Sequence, residues 1–257
     1  MPLKPGVAAS RILVEVQLLI RTKKLGPALI LMATVSLAYA ADWEHQPFTG
    51  WDRGEAVKVL TDSPWAHRQR ARLTWLKKEE RKFSYQDVPG TTPGTPHSGL
   101  GPLGGIGAGK SKFPDEADLI FRWASALPVR QATAVFRIKD EKLAASQLNS
   151  LIPQPEADYV LEVFGIPVEL AHMGAEALEA FAVDSVTVKT ASGRTIKATS
   201  AKVTLQPETL SLKVHFPRTP ALELSDKEIE CLGDLQVLSF HVKFKLSAMQ
   251  YQNHLEL

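Results

Sequence analysis

The chain has 257 residues, of which 44% are hydrophobic and 23% are charged, and its formal net charge is +2. This composition is ordinary for a globular protein, and the length allows one large domain or two small ones. The net charge is too small to indicate a nucleic-acid partner, so we expect none.

Residues 1–40 have the pattern of a secretory signal peptide. A basic cluster within 21–24 precedes a largely apolar run over 25–37, and Ala-Tyr-Ala follows at 38–40. This order of basic, apolar and small-residue regions is typical of an exported chain. The apolar run has about 13 to 16 residues, short of the roughly 20 that a spanning helix needs. We therefore predict cleavage after Ala40, export to the periplasm or medium, and no stable transmembrane anchor, in preference to an uncleaved anchor.

The predicted signal peptide, called here the leader, makes the net charge of the whole chain more positive. It holds five basic residues and one acidic one, so its removal would change the net charge from +2 to about −2.

Cys231 is the only cysteine, which excludes an intramolecular disulfide. We expect Cys231 to pack as a small hydrophobic residue and the core to supply the stability.

Residues 41–87 are predicted to form a small N-terminal helix and strand segment. Thr49 and Asp52 have the spacing of a capping box, and apolar residues then recur at helical intervals, which predicts a helix over 51–61. Pro64 ends this helix because the residue before a proline disfavours helical geometry. Alternation from Ala71 onward predicts a strand.

Residues 88–114 are rich in Gly, Pro, Ser and Thr, which predicts a flexible loop before an α+β domain at 115–257. Within this loop, Gly104–Ser111 has the spacing of a phosphate-binding loop. That mechanism needs a hydrophobic strand before the glycines and a helix starting at Lys110 and Ser111. No such strand precedes them, and Pro114 follows, so nucleotide binding is the weakest of the functions considered. Replacing Lys110 by alanine should change neither stability nor activity.

The sequence of the C-terminal part predicts mostly strands, with two helices among them. The predicted helices begin at Pro128 and cover 174–182. The predicted strands lie near 118–125 and over 158–166, 209–216 and 237–246, with a hairpin over 184–198 that turns at Ser192-Gly193 and an edge strand over 249–257. Strict alternation in the later strands indicates an antiparallel β-sheet with one solvated face. The predicted class is α+β, with a few short helices packed on one face of that sheet.

Three residues are candidates for a binding site: Arg122, Trp123 and Arg130. An arginine beside a tryptophan on a strand can stack and bind an anion. The alternative is an internal salt bridge between Arg122 and a carboxylate. We also predict that Trp65 and Trp123 are buried structural anchors rather than ligand platforms.

Other patterns point less clearly to chemistry. His215 and His241 occupy the polar faces of two predicted strands, and they could share a metal only if those strands paired. Asp226–Glu230 could supply carboxylates for acid–base catalysis, although a charged, exposed turn or helix start is the commoner interpretation. Because the sequence has no zinc signature and no Gly-x-Ser-x-Gly elbow, we expect no metal, no cofactor and no catalytic residue.

Four segments resemble a family of uncharacterised exported bacterial proteins, which is built around Ser-Pro-Trp-Ala and Trp-x-Ser-Ala-Leu-Pro-Val. They are EAVKVLTDSPWA over 55–66, RWASALPVR over 122–130, FPR over 216–218 and the final FKLSAMQYQNHLEL. The resemblance implies an exported α+β protein and assigns no activity. We expect a non-enzymatic binding or envelope-associated domain whose partner is a protein or envelope component. The alternative is a secreted or periplasmic hydrolase with a site on the polar sheet face.

Overall fold

The computed structural model describes residues 46–75 and 114–257, without the side chains of residues 172 and 173. The predicted signal peptide, its cleavage site at Ala40, the flexible loop at 88–113 and the phosphate-loop spacing at Gly104–Ser111 all lie outside the described residues.

The described residues form an α+β fold, as the sequence predicts. The helices are α1 (Arg53–Thr61), α2 (Leu127–Asp140), α3 (Leu148–Leu151) and α4 (Ala175–Ser185). The strands are β1 (Ala66–Arg72), β2 (Glu116–Trp123), β3 (Tyr159–Pro167), β4 (Thr187–Thr190), β5 (Thr195–Lys197), β6 (Ser200–Leu205), β7 (Thr209–Phe216), β8 (Glu228–Asp234), β9 (Ser239–Lys245), β10 (Gln250–Tyr251) and β11 (His254–Leu255).

Two antiparallel sheets are present where the sequence predicted one. The first sheet has the strand order β1-β2-β3-β7-β6, and the second has the order β5-β4-β8-β9. Strands β10 and β11 form a separate short hairpin, with left-handed backbone at Gln252 and Asn253 in its turn. Two consecutive residues with positive φ are the signature of the tight turn that matches strand twist.

The N-terminal segment belongs to the same sheet as the C-terminal part. Strand β1 pairs with β2 in a register that runs from Ala66 opposite Arg122 to Arg72 opposite Glu116. Residues before and after the predicted loop therefore contribute adjacent strands to one sheet.

The two sheets pack face to face. The rings of Phe121 and Phe240 have centroids 4.8 Å apart, and those of Trp123 and Phe244 are 5.9 Å apart. Helix α1 lies on the opposite face of the first sheet, where Arg68 donates to Thr61 Oγ1 at 2.9 Å. The result is three layers: helices, the first sheet and the second sheet.

Helix α4 covers the edge of the first sheet at β6. Glu179 Oε1 accepts a hydrogen bond from Val203 N at 2.8 Å, and Lys202 Nζ lies 3.2 Å from the same oxygen. The Val203 hydrogen bond is the main reason that the pKa of Glu179 lies below its ordinary value. An edge amide of the sheet is thereby bonded rather than left open to another strand.

We expect the Glu179→Gln variant to be less stable than the parent at neutral pH by about 0.5–1 kcal/mol, since the side chain is partly exposed. A lowered folded-state pKa gives stability that is present above the unfolded value of about 4.3 and is lost as pH falls through the folded value. The stability difference should therefore narrow with acidification below about pH 4.3, as urea titrations at several pH values would show. Glu176→Gln, on the exposed side of α4, is the matched control and should change little.

The structure corrects several details of the sequence prediction. The predicted edge strand over 249–257 is the separate hairpin of β10 and β11. The capping box of α1 is made by Asp52 with Glu55, not by Thr49 with Asp52. Strand β1 begins at Ala66, five residues before the predicted start, because its outward positions are polar. Residues 226–230 were predicted as a charged turn or helix start, but the last three of them begin β8, in which every second residue is buried.

Cys231 lies within β8 and has no exposed surface. Burial raises the pKa of its thiol far above the ordinary value, which keeps it protonated. We expect no modification by a thiol reagent in the folded protein at neutral pH, and complete modification in urea. Intact-mass measurement distinguishes the two. Rapid labelling without denaturant would contradict the packing of β8 against the first sheet.

Candidate binding surface

Arg122 is buried in an ion pair rather than free to bind an anion. Its Nε and NH2 atoms donate to Glu162 Oε2 at 3.0 and 2.9 Å, and its guanidinium lies 4.1 Å from the Phe164 ring centroid. The register of β2 against β3 places Arg122 directly opposite Glu162, and Lys213 Nζ lies 3.8 Å from the second carboxylate oxygen. This arrangement is the internal salt bridge considered as the alternative.

Trp123 lies in the core, on the face of β2 opposite to that of Arg122. It is fully buried, and its ring meets Tyr159 and Phe216 in addition to Phe244. Trp65 is also buried, and its Nε1 donates to the Glu256 carbonyl at 2.8 Å. Both tryptophans therefore occupy the anchoring positions predicted for them.

Arg130 lies on α2, whereas Arg122 lies on β2. Its Nε donates to the Pro153 carbonyl at 2.9 Å, and burial is the main cause of a lowered pKa of its guanidinium. The start of α2 is capped by Glu256, whose Oε2 accepts from Leu127 N at 3.1 Å. A carboxylate at a helix N-terminus is favourable because unpaired amides and the helix dipole meet there. The three candidate residues therefore do not form one site.

The two candidate histidines lie in different sheets. His215 is on β7 and His241 is on β9, and these strands do not pair, so the shared metal site is excluded by topology. His241 Nε2 instead lies 3.1 Å from Glu230 Oε2, while Lys243 Nζ lies 2.6 Å from Glu230 Oε1. The contact with Lys243 is the main cause of a lowered pKa of Glu230. Within residues 46–75 and 114–257, no three potential ligands converge on a metal position.

A row of three arginines lies on the outer face of β1: Arg68, Arg70 and Arg72, called here the arginine row. All three side chains are exposed, and they alternate with the inward residues of the strand. Arg70 Nε lies 3.0 Å from Asp118 Oδ1, and its NH1 lies 3.8 Å from Glu116 Oε2. Sequence reasoning missed this row, although AHRQRAR over 66–72 shows the alternation directly.

An open depression adjoins the arginine row and is lined by Arg72, Leu73, Asp115 and Glu116. Among the described residues, its lining includes no histidine, cysteine or serine, the groups from which a nucleophile and a base are usually built. The row and the depression together form one exposed, polar surface.

The fold defines the chain as an antiparallel α+β protein with two packed sheets and a helical layer. No family model, curated protein or solved structure matches the chain. None of the helices in the described part of the chain has the length and apolar character needed to cross a membrane.

Proposed function

We propose that the protein is an exported, non-enzymatic binding domain that uses the arginine row to contact a protein or another component of the bacterial envelope. The observation that carries this proposal is the concentration of three exposed cations on one strand. Arg70 lies within ion-pair distance of two carboxylates, those of Glu116 and Asp118. Within the described residues, neither Arg68 nor Arg72 has a carboxylate at ion-pair distance. Such a surface attracts anionic partners.

The remaining reactive side chains support binding over catalysis. Glu162 is engaged by Arg122, Cys231 is buried, and Arg130 bonds the Pro153 carbonyl. The hydrolase alternative has one observation in its favour, the contact between His241 and Glu230. That pair lies on an open sheet face, and among the described residues His241 has no hydroxyl or thiol within hydrogen-bonding distance. A catalytic histidine needs such a nucleophile within reach.

Co-sedimentation with isolated envelopes of the native host tests the binding proposal. The variant Arg68→Gln/Arg70→Gln/Arg72→Gln should lose binding. The control Lys189→Gln/Lys197→Gln/Lys245→Gln removes the same charge from exposed positions on the outer face of the second sheet and should retain it. Equal loss in both variants would indicate non-specific charge attraction and would contradict the proposal.

Export is tested separately by the N-terminus of the protein made in its native host. We expect a product beginning at Ala41 in the periplasm or medium, because small residues at 38 and 40 suit a signal peptidase. N-terminal sequencing and intact mass measure the product directly. A full-length protein in the cytoplasm would contradict export and would reopen the question of a nucleotide at Lys110.

A further inference from the structure

We infer that the edge of β1, which no other described strand occupies, accepts an added β-strand supplied by an extended acidic segment of a partner protein. The inference rests on the proposed function, because it specifies which partner the arginine row would recognise. It draws on the backbone of the strand as well as on its side chains.

The backbone N–H and C=O groups of the arginine row lie in the plane of the first sheet and point outward from its edge, not toward β2. Trp123 N donates to the Trp65 carbonyl, and Leu73 N donates to the Asp115 carbonyl, both at 2.9 Å. In an antiparallel pair, residues bonded to the neighbour alternate with residues that face the other way. The odd-numbered residues from 65 to 73 therefore bond to β2. The N–H and C=O groups of Arg68, Arg70 and Arg72 face outward.

This open stretch is bounded at both ends. At one end, Ala66 exchanges backbone hydrogen bonds with Ser63 at 2.9 and 3.0 Å. At the other end, Thr74 N donates to the Val237 carbonyl at 2.8 Å, where the chain crosses to the second sheet. Between these closures, β1 pairs with no strand other than β2 in the described part of the chain. The residues that carry the outward backbone groups are the three arginines.

The same three residues supply the charge recognition. Alternate residues of a strand lie on one face, about 6.6–6.8 Å apart, so a partner strand with carboxylates at alternate positions would place one opposite each arginine. Arg68 donates to the Thr61 hydroxyl, and Arg70 already lies near Asp118 and Glu116. Glu116 lies opposite Arg72 in the strand register, but among the described residues neither Arg68 nor Arg72 makes an ion pair, so both guanidinium groups remain available to a partner's carboxylates.

The opposite edge of the first sheet provides a contrast. At β6, helix α4 covers the strand, and the Glu179 carboxylate accepts the hydrogen bond of the Val203 amide. At β1, no described helix supplies an acceptor to the outward amides. Charged edge residues can also serve only to discourage aggregation. An anionic membrane would satisfy the arginines but would not pair regularly with backbone N–H and C=O groups, so a protein strand fits the observations better.

A synthetic peptide in which glutamate alternates with valine or threonine is the direct probe, measured by fluorescence anisotropy with the full chain. We expect saturable binding that weakens with salt. The Arg68→Gln/Arg70→Gln/Arg72→Gln variant should bind at least about tenfold more weakly. The Lys189→Gln/Lys197→Gln/Lys245→Gln control should bind like the parent. A peptide with N-methyl groups on every amide, which leaves neither of its edges able to donate hydrogen bonds to β1, should not bind.

Amide hydrogen exchange, resolved by residue, separates strand addition from simple charge attraction. Peptide binding should slow exchange at Arg68, Arg70 and Arg72 and leave Ala66, which is already bonded, unchanged. Binding without this protection, equal binding of the N-methylated peptide, or preference for anionic lipid vesicles would each overturn strand addition. Absence of any peptide binding would overturn strand addition and would show that the charged edge only discourages aggregation. Envelope binding by the row could still hold, so the two proposals fail separately.

Discussion

Replacing Glu162 by alanine is expected to lower the free energy of unfolding by about 3–5 kcal/mol, because it leaves Arg122 charged and buried without its partner. Glu162 and Arg122 are only 5% and 9% exposed, so water cannot readily replace the lost carboxylate. Lys213 would lose its nearest carboxylate as well. Urea denaturation, followed by far-UV circular dichroism, measures the change.

The double variant Arg122→Met/Glu162→Met is the matched control. Replacing both members of a buried ion pair by apolar residues of similar volume is often close to neutral. We therefore expect the double variant to be more stable than Glu162→Ala, even though it removes more polar groups. A double variant as unstable as the single one would show that the pair itself, rather than an orphaned charge, stabilises the sheet.

Replacing Trp123 by alanine is the second large change, with an expected cost of about 3–5 kcal/mol. The indole is fully buried where the two sheets meet and contacts rings from two strands of the first sheet and one strand of the second. Its loss would leave a cavity that residues on fixed strands cannot refill. Thermal unfolding should show a markedly lower Tm.

Substitution by phenylalanine separates packing from hydrogen bonding at the two buried tryptophans. Trp123 Nε1 has no hydrogen-bond partner among the described residues, so Trp123→Phe gives up only volume. Trp65 Nε1 donates to the Glu256 carbonyl, so Trp65→Phe also leaves a buried acceptor without that donor. We expect Trp65→Phe to be the more destabilising of the two. The reverse order would mean that the Glu256 contact adds little.

Local patterns predicted most of the individual elements. Strand β7 was predicted at its observed bounds because Leu210, Leu212 and Val214 alternate strictly with polar residues. The hairpin of β4 and β5 followed from Gly193, whose φ of 89° favours glycine. The predicted start of β1 lay five residues too far along the chain, because alternating polar residues on an edge strand give little hydrophobic signal. The division into two sheets was missed, since strand pairing depends on contacts between residues far apart in sequence.

The candidate sites were harder to predict for the same reason. Whether Arg122 is free or paired depends on Glu162, 40 residues later, and on the register between β2 and β3. The separation of His215 from His241 likewise follows from sheet topology. The arginine row was visible as alternation, but its significance depends on β1 being an edge, which only the assembled sheet reveals.

The bonds made by Glu256 also bear on the order in which the molecule folds. Its backbone carbonyl binds Trp65, 191 residues earlier, and its carboxylate binds Leu127 N, 129 residues earlier. Neither contact can form until residue 256 has been synthesised, and contacts between such distant residues slow folding. Ribosome-bound chains would therefore lack the α2 cap and the Trp65 bond, which favours a loosely folded nascent state. Under the proposed export, that delay would keep the chain loosely folded until it reaches the secretion channel.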